Sequence, residues 1–279
     1  MTIDRYAVIG NPISHSRSPA IHAEFARQTG QQLSYEALLA PLDGFRDAVE
    51  RFRNAGGRGM NVTVPFKLEA FALAGRCSPR ARAAGAVNTL AFGPDGIFGD
   101  NTDGAGLIRD IVHNLDRPLE GQRVLLLGAG GAACGVLLPL LAERPASLTL
   151  ANRSVDKAHA LAAAFRSHAP DVALDACSFV DLAGRAFDVV INATAASLAN
   201  EVPQLPPWLY AAGALAYDMM YGRGDTPFLA AARSDGATQR ADGLGMLVEQ
   251  AAESFLLWRG IRPDTAPVLA ALRRQLDGT

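Results

Sequence analysis

The feature that most constrains the fold is a glycine-rich turn placed directly between a strand-like and a helix-like segment. The apolar run Arg123–Leu127 leads into Gly-Ala-Gly-Gly-Ala-Ala at residues 128–133, and a helical pattern follows. This order matches the G-x-G-x-x-G/A pattern in its strand–turn–helix context. Gly128 permits the tight turn, Gly130 lets the backbone approach a pyrophosphate, and Ala133 keeps the helix close to the strand. The segment therefore predicts a dinucleotide site at a helix N-terminus.

Strand-like and helix-like runs alternate along the rest of the chain. Arg5–Gly10 precedes the helical stretch Ala20–Thr29, and Ser147–Ala151 precedes Val155–Ser167. Such alternation is typical of α/β proteins with mostly parallel sheets. We predict two domains, an α/β substrate domain with a mostly parallel sheet at residues 1–103 and a Rossmann-type domain at 104–241, followed by a helical segment at 242–279. A turn at Gly93-Pro94-Asp95-Gly96 should join two neighbouring strands.

Composition narrows the classes of partner. Only 19% of the 279 residues are charged and the net charge is −2, so neither nucleic acid nor an anionic membrane surface is expected. The chain has no long apolar stretch and no apolar leader, which favours a cytoplasmic protein with a small-molecule substrate. Cys77, Cys134 and Cys177 lie far apart, and no His, Cys and carboxylate spacing indicates a metal site.

The residues after the second nucleotide-binding strand favour NADP over NAD. Ser147–Ala151 is followed by Asn152-Arg153-Ser154, with Lys157 about one turn further on. An NAD enzyme usually carries Asp or Glu here to bind the ribose 2′-OH. Arg153 instead offers a guanidinium that pairs with a 2′-phosphate and stacks on adenine. The alternative is that Arg153 and Lys157 are solvated charges at the start of a helix.

Polar residues near the first strands indicate a second ligand site. Ser16 and Ser18 precede Pro19, where Ser18 caps a helix, contributes to a carboxylate cradle, or does both. In the strand-like Asn61–Lys67 segment, the two-residue period places Asn61 and Thr63 on one face, which suggests a lined cleft. Lys67 at the strand exit is, taken alone, equally well a solvated lysine.

Asn88 and Asp103 flank the predicted turn at residues 93–96, in the stretches Gly85–Leu90 and Gly99–Gly104. Two strands joined by this turn would bring Asn88 and Asp103 near each other. Asp103 alone is explained as well by a turn or cap as by a functional role. Together, Lys67 and Asp103 could transfer a proton during hydride transfer, although the local sequence does not show that the two residues meet.

These motifs, taken in order, resemble the shikimate/quinate dehydrogenase family from the first strand to the last helix. The matching stretches are Gly10–Pro19, Asn61–Lys67, Gly85–Thr89, Gly99–Gly104, Gly128–Ala133, Asn152–Ser154, Asn192–Thr194, Tyr217–Met219 with Tyr221, and Asp242–Met246 with Gln250. The resemblance implies reversible NADPH-dependent reduction of 3-dehydroshikimate to shikimate in chorismate and aromatic amino-acid biosynthesis. It also implies that residues 242–279 pack back on the substrate domain. Whether the chain forms a homodimer stays open.

The resemblance extends to individual residues. It implies that Lys67 is the catalytic acid/base, paired with Asp103. The expected substrate-binding residues are Ser16, Ser18, Asn61, Thr63, Lys67, Asn88, Asp103, Tyr221 and Gln250. The expected cofactor-binding residues are Gly128, Ala129, Gly130, Gly131, Ala132, Asn152, Arg153, Ser154, Lys157, Thr194, Met219 and Gly243.

Two positions depart from the family pattern. The family often has an acidic residue nine positions before the motif asparagine, where this chain has Pro79. The Asn192–Thr194 stretch usually continues with small polar residues and Gly, whereas here Ala195-Ala196-Ser197 follows. Both departures bear on contacts to the cofactor, and the first also on support for the lysine.

Three other functions stay open beside this interpretation. A quinate/shikimate dehydrogenase would accept quinate and often NAD. Folate dehydrogenases and cyclohydrolases share a related architecture, but Ser16, Ser18 and Gln250 suit a compact hydroxylated carboxylate better. A catalytically silent NADPH-binding regulator would be expected to have lost Lys67 or Asp103, and both are present.

Overall fold

The structure is a computed structural model that describes residues 3–194 and 201–278. The chain divides into two compact units, the first formed by residues 1–106 and 247–271 and the second by residues 107–246 and 272–279. Each unit contains a six-stranded sheet. The alternation of strands and helices predicted from the sequence is therefore confirmed.

The apolar runs at residues 5–10, 123–127 and 147–151 all lie in strands. Those of the first sheet are β1 (Asp4–Gly10), β2 (Leu33–Leu39), β3 (Gly57–Val62), β4 (Arg76–Cys77), β5 (Thr89–Gly93) and β6 (Gly96–Asp100). Those of the second sheet are β7 (Arg123–Leu127), β8 (Ser147–Ala151), β9 (Ala173–Cys177), β10 (Phe187–Asn192), β11 (Tyr210–Asp218) and β12 (Gln239–Asp242).

The α-helices of the described part of the chain lie between these strands, except for the last two, which follow β12. They are α1 (Ser18–Thr29), α2 (Phe45–Asn54), α3 (Lys67–Leu73), α4 (Pro79–Ala84), α5 (Asp103–Arg109), α6 (Gly131–Ala142), α7 (Val155–Phe165), α8 (Pro227–Ser234), α9 (Leu244–Arg259) and α10 (Ala266–Asp277). Within residues 3–194 and 201–278, no helix is long and apolar enough to span a membrane.

The first sheet has the strand order β2-β1-β3-β5-β6-β4. Strand β1 pairs in parallel with β2 and β3, and β4 pairs in parallel with β6, whereas β5 runs antiparallel to both β3 and β6. The predicted turn at residues 93–96 joins β5 and β6, with Gly93 opposite Gly96. The turn needs glycine at its end because Gly96 has a φ of 103°. The hairpin carries Asn88 and Asp100 to the same sheet edge.

The second sheet is parallel throughout, in the order β12-β11-β10-β7-β8-β9. From the other edge the chain order is 3-2-1-4-5-6, which is the doubly wound nucleotide-binding topology. The leucine-rich β7 lies at the centre, and Val124–Leu127 are buried. A fully buried central strand explains why this run is continuously apolar rather than alternating. The order reverses between β7 and β10, where ligands bind in such sheets.

Each unit has its own apolar core. In the first, side chains from β1, α2, β3, β5 and the start of α3 pack together, among them Ile9, Phe45, Val49, Met60, Phe66 and Leu90. In the second, the core includes Leu125, Leu127, Val190, Ala216, Phe228 and Leu229.

The start of α1 differs from the expected cap. The helix begins at Ser18 itself, Arg17 occupies the N-cap position, and no side-chain cap hydrogen bond forms there. Pro19 lies in the first turn, as predicted, because its missing N–H costs nothing there. The Ser18 backbone N–H instead donates to the Ser16 hydroxyl at 3.3 Å. The structure therefore does not support a capping role for the Ser18 side chain.

Candidate active site

Loops from the first sheet gather the predicted substrate-side residues at one edge. The loop with Ser16 leaves β1, and Thr63 directly follows the neighbouring β3. A Cβ atom at Gly10 would lie 2.5 Å from Thr63 Cγ2, so the two strand ends approach closely only because residue 10 is glycine. The Asn11 N–H donates to the Val64 carbonyl at 3.0 Å and ties the two loops together.

Lys67 and Asp103 form an ion pair at this edge, with Nζ 2.5 Å from Oδ2. Lys67 begins α3 and Asp103 begins α5, so both side chains project from helix starts with fixed backbones. The lysine side chain is 32% exposed and the aspartate 15% exposed. A pair that is shielded yet reachable can exchange a proton with a bound ligand. The structure thus joins two residues that the sequence could not show to meet.

Asn88 orients the aspartate of this pair. Its Nδ2 donates to Asp103 Oδ1 at 2.8 Å, while the backbone N–H of Thr102 donates to Asn88 Oδ1 at 2.8 Å. Because a backbone N–H can only donate, the Asn88 amide oxygen must face Thr102 and its NH2 group must face the carboxylate. Gln250 reaches the same place from α9, where its Oε1 lies 3.4 Å from Asn88 Nδ2.

Asn61 does not line an open cleft beside Thr63 as the two-residue period predicts. Strand β3 ends at Val62, and the Phe66 N–H closes a turn on the Thr63 carbonyl at 3.0 Å. Thr63 is half-buried outside the strand, whereas Asn61 is 6% exposed and uses its amide within the protein. The period argument fails here because it requires the strand to continue for one more residue.

The loop that carries Asp103 is braced by a second ion pair. Arg80 Nε and Nη2 donate to Asp100 Oδ1 and Oδ2 at 2.8 and 2.6 Å. Although burial raises the pKa of Asp100, the Arg80 guanidinium and the hydrogen bonds from Ser78 and the Asn101 N–H together hold the pKa below its ordinary value. Pro79, at one of the two departures from the family pattern, opens α4 one residue before Arg80.

The nucleotide side is built at the end of β7. Gly128 has a φ of 108°, and a Cβ there would lie 3.1 Å from the Ala193 carbonyl oxygen. A Cβ at Gly130 or Gly131 would meet nothing within 4 Å, and Ala133 is buried. No side-chain cap hydrogen bond forms at Gly130, the N-cap of α6. The free N–H groups and the open glycine surface fit a pyrophosphate.

The loop after β8 lies beside this turn, because the Gly128 N–H donates to the Ala151 carbonyl at 2.8 Å. Asn152 Nδ2 donates to the Ser154 carbonyl at 2.9 Å and shapes the loop. Arg153 and Lys157 are exposed, and neither forms an ion pair with any residue that the structure describes. Two solvated cations beside this glycine turn fit a 2′-phosphate.

Residues expected near the nicotinamide meet at the ends of β10, β11 and β12. Thr194 Oγ1 donates to Asn192 Oδ1 at 2.7 Å, and the Met219 N–H donates to the Asn192 carbonyl at 3.0 Å. A Cβ at Gly243 would lie 2.2 Å from the Met219 carbonyl oxygen, so only glycine permits this approach. Tyr221 is half-buried just beyond β11, in the second unit. The departure at residues 195–197 lies outside the described residues.

Sequence reasoning missed the buried hydroxyl groups behind the substrate-side residues. Thr89, Thr102 and Ser254 are each 0% exposed and lie within hydrogen-bond distance of one another. Thr89 and Thr102 stand inside the matched motifs, which by themselves indicate no role for them. Ser254 could have been found from helix spacing, because it lies one turn beyond Gln250 on α9.

Comparison with known proteins agrees with this geometry. Three family models match, described as the shikimate dehydrogenase substrate binding domain (residues 8–90), shikimate / quinate 5-dehydrogenase (110–200) and the shikimate 5′-dehydrogenase C-terminal domain (243–273). A shikimate dehydrogenase (NADP(+)) of Aromatoleum aromaticum is 95% identical over 100% of both chains.

Solved structures show the same similarity. An Ael1 enzyme from Pseudomonas putida is 51% identical, with a TM-score of 0.90 over 96% of this chain and 98% of that one. Shikimate 5-dehydrogenase from Thermus thermophilus, in complex with NADP(H) and shikimate, is 33% identical, with a TM-score of 0.85 over 98% of this chain and 100% of that one.

Proposed function

The chain belongs to the shikimate dehydrogenase family, and on that premise we propose that it catalyses the reversible NADPH-dependent reduction of 3-dehydroshikimate to shikimate. The enzyme is an oxidoreductase that acts on a CH–OH group. The observation that carries the proposal is the Lys67–Asp103 ion pair at 2.5 Å, held by Asn88 at the sheet edge where the substrate-side loops gather.

Lys67 would act as the acid and the base of the reaction. NADPH, when bound, supplies the hydride that reduces the carbonyl carbon. Negative charge then grows on the carbonyl oxygen, and the Lys67 ammonium stabilises this charge and donates the proton. Asp103 fixes the direction of the ammonium through its 2.5 Å contact. In the oxidation direction Lys67 would accept the proton that the substrate hydroxyl loses.

The remaining substrate-side residues would bind the ring and its carboxylate. We assign the carboxylate to Ser16 and Ser18, because two hydroxyls beside the start of α1 can donate to an anion. Thr63, Asn88, Asp103 and Gln250 would bind the ring hydroxyls, and Tyr221 completes the set of proposed substrate ligands. Asn61, whose amide is hydrogen-bonded to other protein groups, would support these residues from inside the protein.

NADP fits the residues of the second unit. The open glycine turn at residues 128–132 would hold the pyrophosphate at the uncapped start of α6. Asn152, Arg153, Ser154 and Lys157 would bind the adenosine 2′-phosphate. Thr194, Met219 and Gly243 would lie near the nicotinamide. The assignment of residues 1–103 to substrate and 104–241 to cofactor is part of the same proposal.

The direct test is the absorbance of the reduced nicotinamide. We expect the purified chain to reduce NADP with shikimate and to give little signal with quinate and NAD. Equal rates with quinate and NAD would instead favour the quinate/shikimate dehydrogenase alternative, and no reaction with either pair would favour the silent regulator. We also expect a cytoplasmic protein, and sedimentation velocity would decide between monomer and homodimer.

A further inference from the structure

The side-chain amide of Asn88 donates directly to the Asp103 carboxylate. The orientation of this amide depends on buried hydrogen-bond donors. Asn88 Oδ1 accepts from the Thr102 N–H at 2.8 Å and from the Thr89 hydroxyl at 2.9 Å. An amide whose oxygen accepts hydrogen bonds is polarised, which makes its N–H a better donor. The strength of the contact to Asp103 therefore depends on what holds Thr89.

The Thr89 hydroxyl is held by Ser254. The two oxygens lie 2.8 Å apart, and both residues are 0% exposed. Ser254 Oγ also lies 2.8 Å from Asn61 Nδ2. Because an amide NH2 can only donate, Ser254 must accept this bond, which leaves its single proton for another partner. That proton can go to Thr89 Oγ1 at 2.8 Å or to the Gln250 carbonyl at 3.1 Å. Thr89 Oγ1 also accepts from Asn61 Nδ2 at 3.1 Å, and Thr89 uses its own proton on Asn88 Oδ1.

The orientation of Asn61 is fixed at the far end. Its Nδ2 donates to the Asn88 backbone carbonyl at 3.3 Å, and a carbonyl can only accept. Its Oδ1 therefore faces the Tyr35 hydroxyl, which donates at 2.7 Å. The result is a directed series of donors, Tyr35 to Asn61 to Thr89 to Asn88, that ends on Asp103, with Ser254 bonded to both Asn61 and Thr89. We call these five residues the donor chain.

We propose that Ser254 and Thr89 are positioning residues for the reaction, which act by directing the Asn88 NH2 group at Asp103. The inference rests on the proposed function, since it concerns the same acid–base pair. Neither residue reaches the carboxylate itself. Breaking the chain would weaken the orientation of Asp103 and hence of the Lys67 ammonium, while the nucleotide side keeps all its contacts.

The two kinds of Thr89 variant separate this role from packing. Thr89→Val keeps the shape of the side chain and removes the hydroxyl, whereas Thr89→Ser keeps the hydroxyl and removes a methyl group. We expect Thr89→Val to lower kcat for shikimate oxidation by about tenfold, the effect of losing one net hydrogen bond, with the KM for NADP changed by less than about twofold. Thr89→Ser should retain at least about half of the wild-type kcat.

Ser254→Ala removes the hydroxyl that bonds both Asn61 and Thr89, and it should likewise lower kcat by about tenfold. The matched control is Ser234→Ala on α8. Ser234 is exposed and donates to the Ala230 carbonyl one turn back at 3.2 Å, just as Ser254 lies 3.1 Å from the Gln250 carbonyl. Ser234→Ala removes a bond from a serine hydroxyl to the carbonyl one helical turn back and leaves the donor chain intact, so this variant should keep the wild-type kcat.

Melting temperatures of all variants accompany the kinetics, and the Thr89 pair decides the matter independently of how well Ser254→Ala folds. The inference is overturned if Thr89→Val turns over like the wild type, or if Thr89→Ser is as slow as Thr89→Val. In either case a wild-type enzyme that reduces NADP with shikimate leaves the proposed function standing. A wild-type chain that does not oxidise shikimate refutes the proposed function itself.

Discussion

His22 makes the stability of the first unit depend on pH. It is 1% exposed, its ring stacks on Tyr35 with centroids 4.2 Å apart, and Phe25, Phe255 and Trp258 surround it. Neither ring nitrogen has a partner of good hydrogen-bond geometry among the residues that the structure describes, although the Asn61 side chain is close enough to raise the pKa of His22 in part. Burial lowers the pKa of His22 from 6.5 to about 3, because the imidazolium cannot be solvated there.

The sign and size of the effect follow from this depressed pKa. The unfolded chain binds the proton more readily, so the stability from a neutral buried His22 is present above about pH 6.5 and is lost as the pH falls towards 3. With pKa values of 6.5 and about 3, the loss between about pH 7.5 and about pH 5 is roughly 2 kcal/mol. The ion-paired carboxylates of Asp4 and Asp100, whose pKa values are lowered in the folded protein, also contribute stability that is lost on acidification.

A substitution isolates the histidine, because the carboxylate contributions are common to both proteins. Urea unfolding of His22→Phe and of the parent would be followed by Trp258 fluorescence in a Trp208→Phe background, at about pH 7.5 and about pH 5. The parent should lose roughly 2 kcal/mol more than the variant on acidification. His159→Gln, at an exposed position of α7, is the matched control and should follow the parent. A difference below about 0.5 kcal/mol would refute the buried neutral imidazole.

Three further predictions concern ligand binding. Arg153→Ala should raise the KM for NADP about tenfold or more and leave NAD use unchanged, because a charge-assisted bond is worth about 1.5–3 kcal/mol; equal losses with both cofactors would argue against a phosphate role. Ser18→Ala should weaken shikimate binding by about 1 kcal/mol or more without changing the KM for NADP, whereas the exposed Ser14→Ala should not; a lower melting temperature alone would point to a structural role. Gly243→Ala should impair NADP binding, since its Cβ would lie 2.2 Å from the Met219 carbonyl oxygen, and calorimetry with wild-type affinity would contradict this.

The fold was predictable where the local signal and the sheet environment agree. β7, β8 and α9 begin and end where their apolar patterns do, because a buried parallel strand and a helix that ends at a glycine both have sharp sequence signatures. The glycine turn was predictable for the same reason, since few residue types can adopt its backbone conformation. The start of α1 was less predictable, because a serine before a proline fits both the N-cap position and the first position of the helix.

The candidate site was predictable as a set of residues but not as a geometry. Lys67 and Asp103 are 36 positions apart and meet only because β3, β5 and β6 pair side by side. Ser254 is 193 positions from Asn61, and no local pattern indicates that their side chains touch. The burial that makes Asn61 an internal partner rather than a lining residue likewise depends on the tertiary fold.

The measurement that tests the central claim most directly is the turnover of Lys67→Ala with shikimate and NADP. A general acid–base group contributes about 10²–10⁴-fold, so kcat should fall by that factor while both KM values change far less. The matched control is Lys157→Ala, which removes a lysine of the nucleotide side and should affect the KM for NADP rather than kcat. A Lys67→Ala enzyme with near-normal kcat would contradict the account, and the proton would then have to come from Asp103 or an ordered water.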